Sequence, residues 1–192
     1  ISMEKIFKIG TLLPLSGPSS EIGNEVLKGI QFANDQTKKK KGEKIRLELV
    51  IRDSKTDPLI SSNQTEEFAN DSSIISIIGP LFSDEVISSA KIANSKKIPL
   101  LTPTATSDEI SPLGKYVFQL SPSLSTQGKA LALYTSKELK IKTVAILCSN
   151  ERYARVMVEG FVQKWKEEGN IISIVEYYPT SASNLKIGRA HV

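Results

Sequence analysis

Side chains that could recognise a ligand are concentrated in four short segments, each of which follows an apolar run typical of a β-strand. These segments are residues 16–18, 82–84, 104–106 and 150–153, and they carry hydroxyl, carboxylate, amide and guanidinium groups. In α/β proteins, ligands bind beyond the carboxyl ends of the strands. The residue types and positions therefore predict hydrogen bonding to a small polar ligand.

The sequence offers little for catalysis or metal binding. It has one histidine, His191, next to its last residue, and one cysteine, Cys148. These counts argue against a Ser-His-Asp triad, a histidine or cysteine metal site and an internal disulfide. No G-x-G-x-x-G motif follows the first strand, which argues against a nicotinamide-dependent enzyme. We expect a protein that is not an enzyme and that needs no cofactor and no metal.

The charged residues and the two ends of the sequence indicate which partners and which cellular location to expect for the protein. The net charge is +4, and residues 186–192, which resemble a translated sequencing adapter and are expected to be a non-native tail, carry two of these charges. The lysine run at 38–41 has no interleaved aromatic residues, so it predicts a solvated turn and no nucleic-acid contact. No apolar stretch reaches 18 residues, so we expect no membrane span. A signal sequence or lipid anchor upstream of Ile1 stays open.

Strands and helices alternate along the whole sequence. Apolar runs predict strands, and apolar residues at helical spacing predict helices. The strands are expected at 6–13, 45–51, 74–78, 98–101, 116–120, 143–148 and 171–177, and the helices at 21–37, 58–70, 83–93, 127–139 and 152–168. This order predicts an α/β fold with a mainly parallel sheet and helices on both faces. A break at 121–123 would place segment 150–153 on a second lobe, with the site in the cleft between lobes.

Several of these motifs, in this order, are similar to those of a known family. They are residues 13–18 with Gly23 and Gly29, then 52–58, 78–83, 99–106, Gln127 with Gly128, and Tyr153. Together they resemble type I periplasmic solute-binding proteins, above all the leucine/isoleucine/valine-binding proteins that serve ABC importers. The resemblance implies two Rossmann-like, three-layer lobes. Residues 6–121 would form the first lobe, still lacking its end, and residues 122–185 the first part of the second lobe.

The resemblance also implies roles for individual residues. Ser83 would bind a ligand carboxylate through its hydroxyl and backbone N–H, at a helix N-terminus that favours anions. In the segment Thr104, Ala105 and Thr106, the two threonine positions would offer a backbone carbonyl and a hydroxyl to the ligand. Tyr153 would close over the ligand from the second lobe.

Each of these residues also has a purely structural interpretation. Ser83 is a good helix N-cap, and the two threonines could satisfy loop backbone groups. Tyr153 could pack at the start of its helix. Two positions depart from the amino-acid-binding pattern: Ile22 stands where relatives often carry an aromatic residue, and Asp84 places a carboxylate beside the proposed carboxylate site.

The favoured hypothesis is a periplasmic or otherwise extracytoplasmic receptor. It would trap an amino acid or an amide by hinge closure and deliver it to an ABC permease. The alternative is a protein that acts by protein contact, because residues 13–17 and 79–85 are also similar to the periplasmic-binding-like domain of penicillin-binding protein activator lipoproteins.

Overall fold

The chain divides into two compact units, Ile1–Ser121 and Pro122–Val192, called unit 1 and unit 2 below. The computed structural model describes residues 5–38 and 45–181. The lysine run beyond Lys38 and the expected adapter-like tail at 186–192 lie outside the described residues. Within the described ranges, no helix combines the length and the apolarity needed to cross a bilayer.

Strands and helices alternate through both units, as the apolar patterns predict. Unit 1 contains β1 (Lys5–Leu13), α1 (Ser20–Lys38), β2 (Ile45–Asp53), α2 (Pro58–Asn70), β3 (Ile74–Ile78), α3 (Ser83–Lys96), β4 (Leu100–Thr102), a 3₁₀ turn (Ser111–Leu113) and β5 (Val117–Gln119). Unit 2 contains α4 (Leu124–Lys137), β6 (Thr143–Ser149), α5 (Arg152–Glu167) and β7 (Ile171–Tyr178).

Five parallel strands form the sheet of unit 1, in the order β2-β1-β3-β4-β5. This confirms the predicted α/β class with a mainly parallel sheet. The chain moves outward from β1 to β2, then returns to β3 and continues in the opposite direction. Such a reversal opens a crevice at the carboxyl ends of β1 and β3. The register pairs Leu13 with Asp53, so the carboxyl ends of β1 and β2 coincide.

The two faces of this sheet are covered unequally. On one face, α2 and α3 bury a continuous core that includes Leu12, Phe68 and Val86. On the other face, α1 leaves an apolar groove of about 400 Å³ beside the strands, lined by residues that include Ile9 and Leu101. Right-handed crossovers place α1 on one face and α2 and α3 on the other, because the chain reverses its direction along the sheet after β2.

Within residues 122–181, unit 2 has two parallel strands, β6 and β7. Trp165 of α5 is fully buried, stacks on Phe161 at a centroid distance of 5.3 Å, and donates from Nε1 to the Ile171 carbonyl at 2.8 Å. Gly169 ends α5 with a φ of +72°, as expected for a residue just beyond a helix. The near-continuous apolar run of β6 is typical of a strand covered on both faces, but Leu147 is 45% exposed because the core of unit 2 packs on the face that carries Val144 and Ile146.

Helix α4 differs from its prediction in two ways. It begins at Leu124, three residues earlier than predicted, because Ser123 caps it by accepting from the Thr126 N–H. The helical spacing of Ala130, Leu131 and Tyr134 predicts that they form its buried face, but all three residues are exposed. The residues that α4 buries are Leu124, Gly128, Ala132 and Ser136. Glycines Gly128 and Gly160 leave room for the backbones of α4 and α5 to meet.

Two glycines of α1 provide a matched test of packing. A Cβ on Gly23 would overlap the Pro14 carbonyl oxygen, whereas a Cβ on Gly29 would meet no heavy atom within 4 Å. We expect Gly23→Ala to lower the free energy of unfolding by about 1–3 kcal/mol through overpacking. Gly29→Ala should raise it by about 1 kcal/mol, because alanine favours a helix. Urea unfolding followed by circular dichroism measures both, and equal shifts of the same sign would contradict the close approach of α1 to Pro14.

Candidate ligand-binding site

The carboxyl edge of the unit 1 sheet brings together three of the four predicted segments. Residues 16–18 follow β1, residues 82–84 follow β3 and residues 104–106 follow β4. Because β1, β3 and β4 are neighbours in a parallel sheet, the three segments lie at one edge, beside the crevice between β1 and β3. The fourth segment, residues 150–153, belongs to unit 2.

The loop after β3 lies against β1. Gly79 has a φ of +100°, and a Cβ at this position would overlap the Leu12 carbonyl oxygen, so the loop requires glycine. The Gly79 N–H donates to the Leu101 carbonyl at 2.8 Å. The Thr102 hydroxyl donates to the Pro80 carbonyl at 2.8 Å. These contacts fix the path of the chain into α3.

Ser83 occupies the first position of α3 and is not its N-cap. The N-cap is Phe82, whose apolar side chain makes no capping hydrogen bond. The N-cap interpretation of Ser83 is therefore wrong. The Ser83 hydroxyl instead accepts from the Ser107 N–H at 3.3 Å and links α3 to the loop after β4. The N–H groups of a helix's first turn have no intrahelical acceptor, so an uncapped α3 leaves donors for a ligand.

The loop after β4 uses its polar groups in different ways. The Thr104 hydroxyl donates to the Leu81 carbonyl at 2.8 Å, which is the structural role foreseen for it, although its own carbonyl remains a candidate ligand contact. Ala105 is buried, its N–H donates to Thr102 and its carbonyl accepts from Gln119 Nε2 at 2.8 Å. The Thr106 hydroxyl is half-buried and, within residues 5–38 and 45–181, has no hydrogen-bond partner.

Sequence reasoning missed Gln119. This residue ends β5, and its amide nitrogen donates to the carbonyls of Ala105 and Ser107, which holds the 104–107 loop in place. A single glutamine at the end of a short strand carries no sequence signal of such a role. The structure therefore makes Ala105 part of the support for its neighbours, with both of its backbone groups already partnered.

Two acidic residues lie in the first turn of α3. Glu85 is 1% exposed and accepts from the Ser61 hydroxyl of α2 at 2.9 Å, so its carboxylate is directed to the helix interface. Asp84 is exposed. Negative charge in a first turn stabilises a helix, and it also reduces the attraction of this edge for an anion. Sequence reasoning did not single out Glu85 as a buried group.

Asp53 joins the loops that follow β1 and β2. Its carboxylate accepts from the Leu15 N–H at 2.8 Å, the Ser16 hydroxyl at 2.6 Å and the Lys55 N–H at 2.9 Å. Burial alone would raise the pKa of Asp53, but these hydrogen bonds outweigh it and hold the pKa below its ordinary value. Asp57 caps α2 by accepting from the N–H groups of Leu59 and Ile60.

In unit 2, Tyr153 is the second residue of α5 and is 57% exposed. The N-cap of α5 is Glu151, and its side chain makes no capping hydrogen bond. The N-termini of α3 and α5 therefore both lack a side-chain cap, whereas Asp57 caps α2 and Ser123 caps α4. In the described part of the chain, no group of three histidine, cysteine or acidic residues could hold a metal ion.

Comparison with known proteins gives a family match over most of the chain. The model of a family described as "Periplasmic binding protein" matches residues 7–186. An uncharacterized protein of Methanocaldococcus jannaschii is 29% identical over 93% of this chain and 45% of its own length. The leucine-, isoleucine-, valine-, threonine- and alanine-binding protein of Pseudomonas aeruginosa is 25% identical over 88% of this chain and 46% of its own length. The chain therefore spans about half the length of the curated relatives it matches.

Solved structures share the fold. The branched-chain amino acid transporter substrate-binding protein LivJ of Streptococcus pneumoniae, solved in complex with isoleucine, has a TM-score of 0.70 and 26% identity. That alignment covers 95% of this chain and 52% of the other. The leucine-binding protein LivK of Thermotoga maritima has a TM-score of 0.67 and 26% identity, and covers 93% of this chain and 50% of its own.

The Asp53 contacts predict a pH-dependent contribution to stability. A carboxyl whose pKa is lowered on folding stabilises the fold above its unfolded pKa of about 3.9, and that contribution disappears as the pH falls through the folded pKa. We expect Asp53→Asn to lower the free energy of unfolding at pH 7 by about 1–2 kcal/mol. The difference from the wild-type chain should vanish towards pH 2.

Asp57→Asn is the matched control, because asparagine caps a helix about as well as aspartate. Urea unfolding from pH 7 to pH 2 measures both variants. A loss in Asp53→Asn that stays constant across this range would show that the carboxylate charge does not stabilise the two loops.

Proposed function

The chain belongs to the type I periplasmic binding proteins, and on that premise we propose that it captures a small polar ligand for an ABC importer. This family consists of solute-binding receptors, not of enzymes. The ligand class that the site supports best is an amino acid or an amide. In this role the protein works outside the cytoplasm and delivers its ligand to a permease.

One observation carries the proposal: unpaired donors meet at the carboxyl edge of unit 1. The first turn of α3 is uncapped, and the Thr106 hydroxyl has no partner within the described residues. The hydrogen bond between Ser83 and the Ser107 N–H joins the two segments that carry these donors. A ligand carboxylate or amide carbonyl is a fitting acceptor for such donors, because N–H groups at a helix N-terminus and a hydroxyl group both bond acceptor oxygens.

The relatives support the ligand class. The Streptococcus pneumoniae structure holds isoleucine, and the Pseudomonas aeruginosa relative is described as binding five small amino acids. Among the predicted site residues, Ser83 and Thr106 would bind the carboxylate, and the Thr104 backbone carbonyl would accept from the ammonium group. Ala105 would hold these neighbours in place, and Tyr153 would contact the ligand from unit 2 when a hinge closes.

The test is a thermal-shift titration of the protein expressed from its complete gene. The panel contains amino acids, amides and small carboxylates. A ligand that binds only the folded protein adds about 2.7 kcal/mol of stability when its concentration is 100 times its Kd, and it therefore raises the melting temperature. We expect one amino acid or amide to give a saturable rise. Thr106→Val, which removes the hydroxyl but keeps the side-chain shape, should weaken binding about tenfold, as should Ser83→Ala.

Matched controls separate ligand contacts from general damage. Thr106→Ser keeps the hydroxyl and should retain binding, and Ser95→Ala changes a serine in the last turn of the same helix α3. If the folded protein binds no ligand in the panel, the receptor proposal fails. That result would favour the protein-contact function of the penicillin-binding protein activator type.

A further inference from the structure

Two hydrogen bonds from one guanidinium group to one amide oxygen, together with a cation–π contact, fix the start of α5 in unit 2. Arg155 donates from Nε to Asn150 Oδ1 at 2.7 Å, and its Nη2 donates to the same oxygen. The guanidinium carbon lies 4.5 Å from the centroid of the Tyr177 ring of β7. The Asn150 N–H donates to the Tyr178 carbonyl at 2.8 Å. These contacts connect the β6–α5 loop, the first turn of α5 and the carboxyl end of β7.

The position of Arg155 is unfavourable for the helix itself. A positive side chain near a helix N-terminus opposes the helix dipole, at a cost of about 0.3–1 kcal/mol, and α5 has neither an acidic residue in its first turn nor a side-chain cap. A cation over an aromatic ring and a forked hydrogen bond offset this cost. A local rule that is broken and locally compensated is typical of a functional position.

Tyr153 is the residue that this arrangement controls. Only Asn150 and Glu151 separate β6 from α5, and Tyr153 follows two residues later. Its side chain is 57% exposed, so its direction depends on the backbone of this short connection more than on packing. Arg155 reaches back over this connection to Asn150, and the carboxyl end of β7 holds both residues.

We propose that Arg155 is a positioning residue that fixes the β6–α5 connection through Asn150 and Tyr177 and thereby orients Tyr153 for the ligand. The inference rests on the proposed function, in which Tyr153 contacts the ligand. Arg155 itself does not touch the ligand. Its effect on binding is therefore transmitted entirely through Tyr153, and this separates it from a residue that contacts the ligand and from one that only stabilises unit 2.

The first experiment uses the 192-residue chain without ligand. Hydrogen exchange is followed by mass spectrometry over peptides that contain residues 149–155 and over the C-terminal half of α5. We expect Arg155→Ala to speed exchange in the first region about tenfold or more and to leave the second unchanged. Lys166→Ala, which removes a cation from the other end of α5, should change neither. Tyr177→Phe keeps the aromatic face and should retain protection, whereas Tyr177→Leu should lose it.

The single cysteine provides an independent readout. Burial raises the pKa of the Cys148 thiol, and the Arg155 charge acts in the opposite direction. We expect the pH profile of Cys148 alkylation to move to higher pH in Arg155→Ala and to stay in place in Lys166→Ala. An unchanged profile together with unchanged exchange would overturn the proposal, whatever the protein binds.

The second experiment is a double-mutant cycle on ligand affinity, in the protein expressed from its complete gene. Arg155→Ala should weaken binding about tenfold in the wild-type background. In a Tyr153→Ala background it should cause no further loss, because Arg155 acts through Tyr153 alone. Losses that multiply in the double variant would overturn the proposal and make Arg155 an independent ligand contact or a general stabiliser.

The two experiments also separate this inference from the function on which it rests. If the wild-type protein binds no ligand while Arg155→Ala still frees residues 149–155, the proposed function fails, and the positioning role for a ligand fails with it. If a ligand binds but exchange is unaffected, the receptor function stands and the Arg155 inference alone is overturned.

Discussion

The candidate site in unit 1 depends on one close backbone approach. The loop after β3 can lie against β1 only because Gly79 has no Cβ to meet the Leu12 carbonyl. This approach sets where α3 begins, and hence where Ser83 and the donors of the first turn lie. The loop after β4 is then fixed to it by the Thr102 and Thr104 hydroxyls. Any side chain at position 79 would move all of these groups together.

Hydrogen bonds within unit 1 separate the residues that support the candidate site from the groups that are available to a ligand. The Thr102 and Thr104 hydroxyls, the Ala105 N–H and carbonyl, and the Gln119 amide nitrogen are all paired within unit 1 and hold this edge in place. In the two segments that follow β3 and β4, the Thr106 hydroxyl has no partner among the described residues, and no side chain caps the start of α3. Rigid support around a few unpaired donors is what a preorganised binding site needs, and it limits the conformational cost of binding.

The sequence was sufficient to predict the strands and helices, but it was not sufficient to predict the side-chain contacts between them. Apolar runs and helical spacing located every strand and helix, because burial of those residues drives the fold. The face of α4 was wrong for a physical reason: hydrophobic spacing favours Leu131, but α5 approaches most closely where Gly128 leaves room. Gln119 was missed because its partners are backbone carbonyls 12 and 14 residues away, which leave no local signal. Arg155 was missed because the ring that it contacts belongs to β7, and its bond to Asn150, five residues earlier, follows no helical spacing.

The charges at the start of α3 restrict how a ligand is recognised. A helix N-terminus is equivalent to about half a positive charge, and Asp84 and Glu85 place two carboxylates within the same turn. Net charge at this edge therefore contributes little attraction for an anion. In the proposed function, a ligand would therefore be recognised mainly by the directions of N–H and O–H donors, which can bond a carboxylate and an amide carbonyl alike.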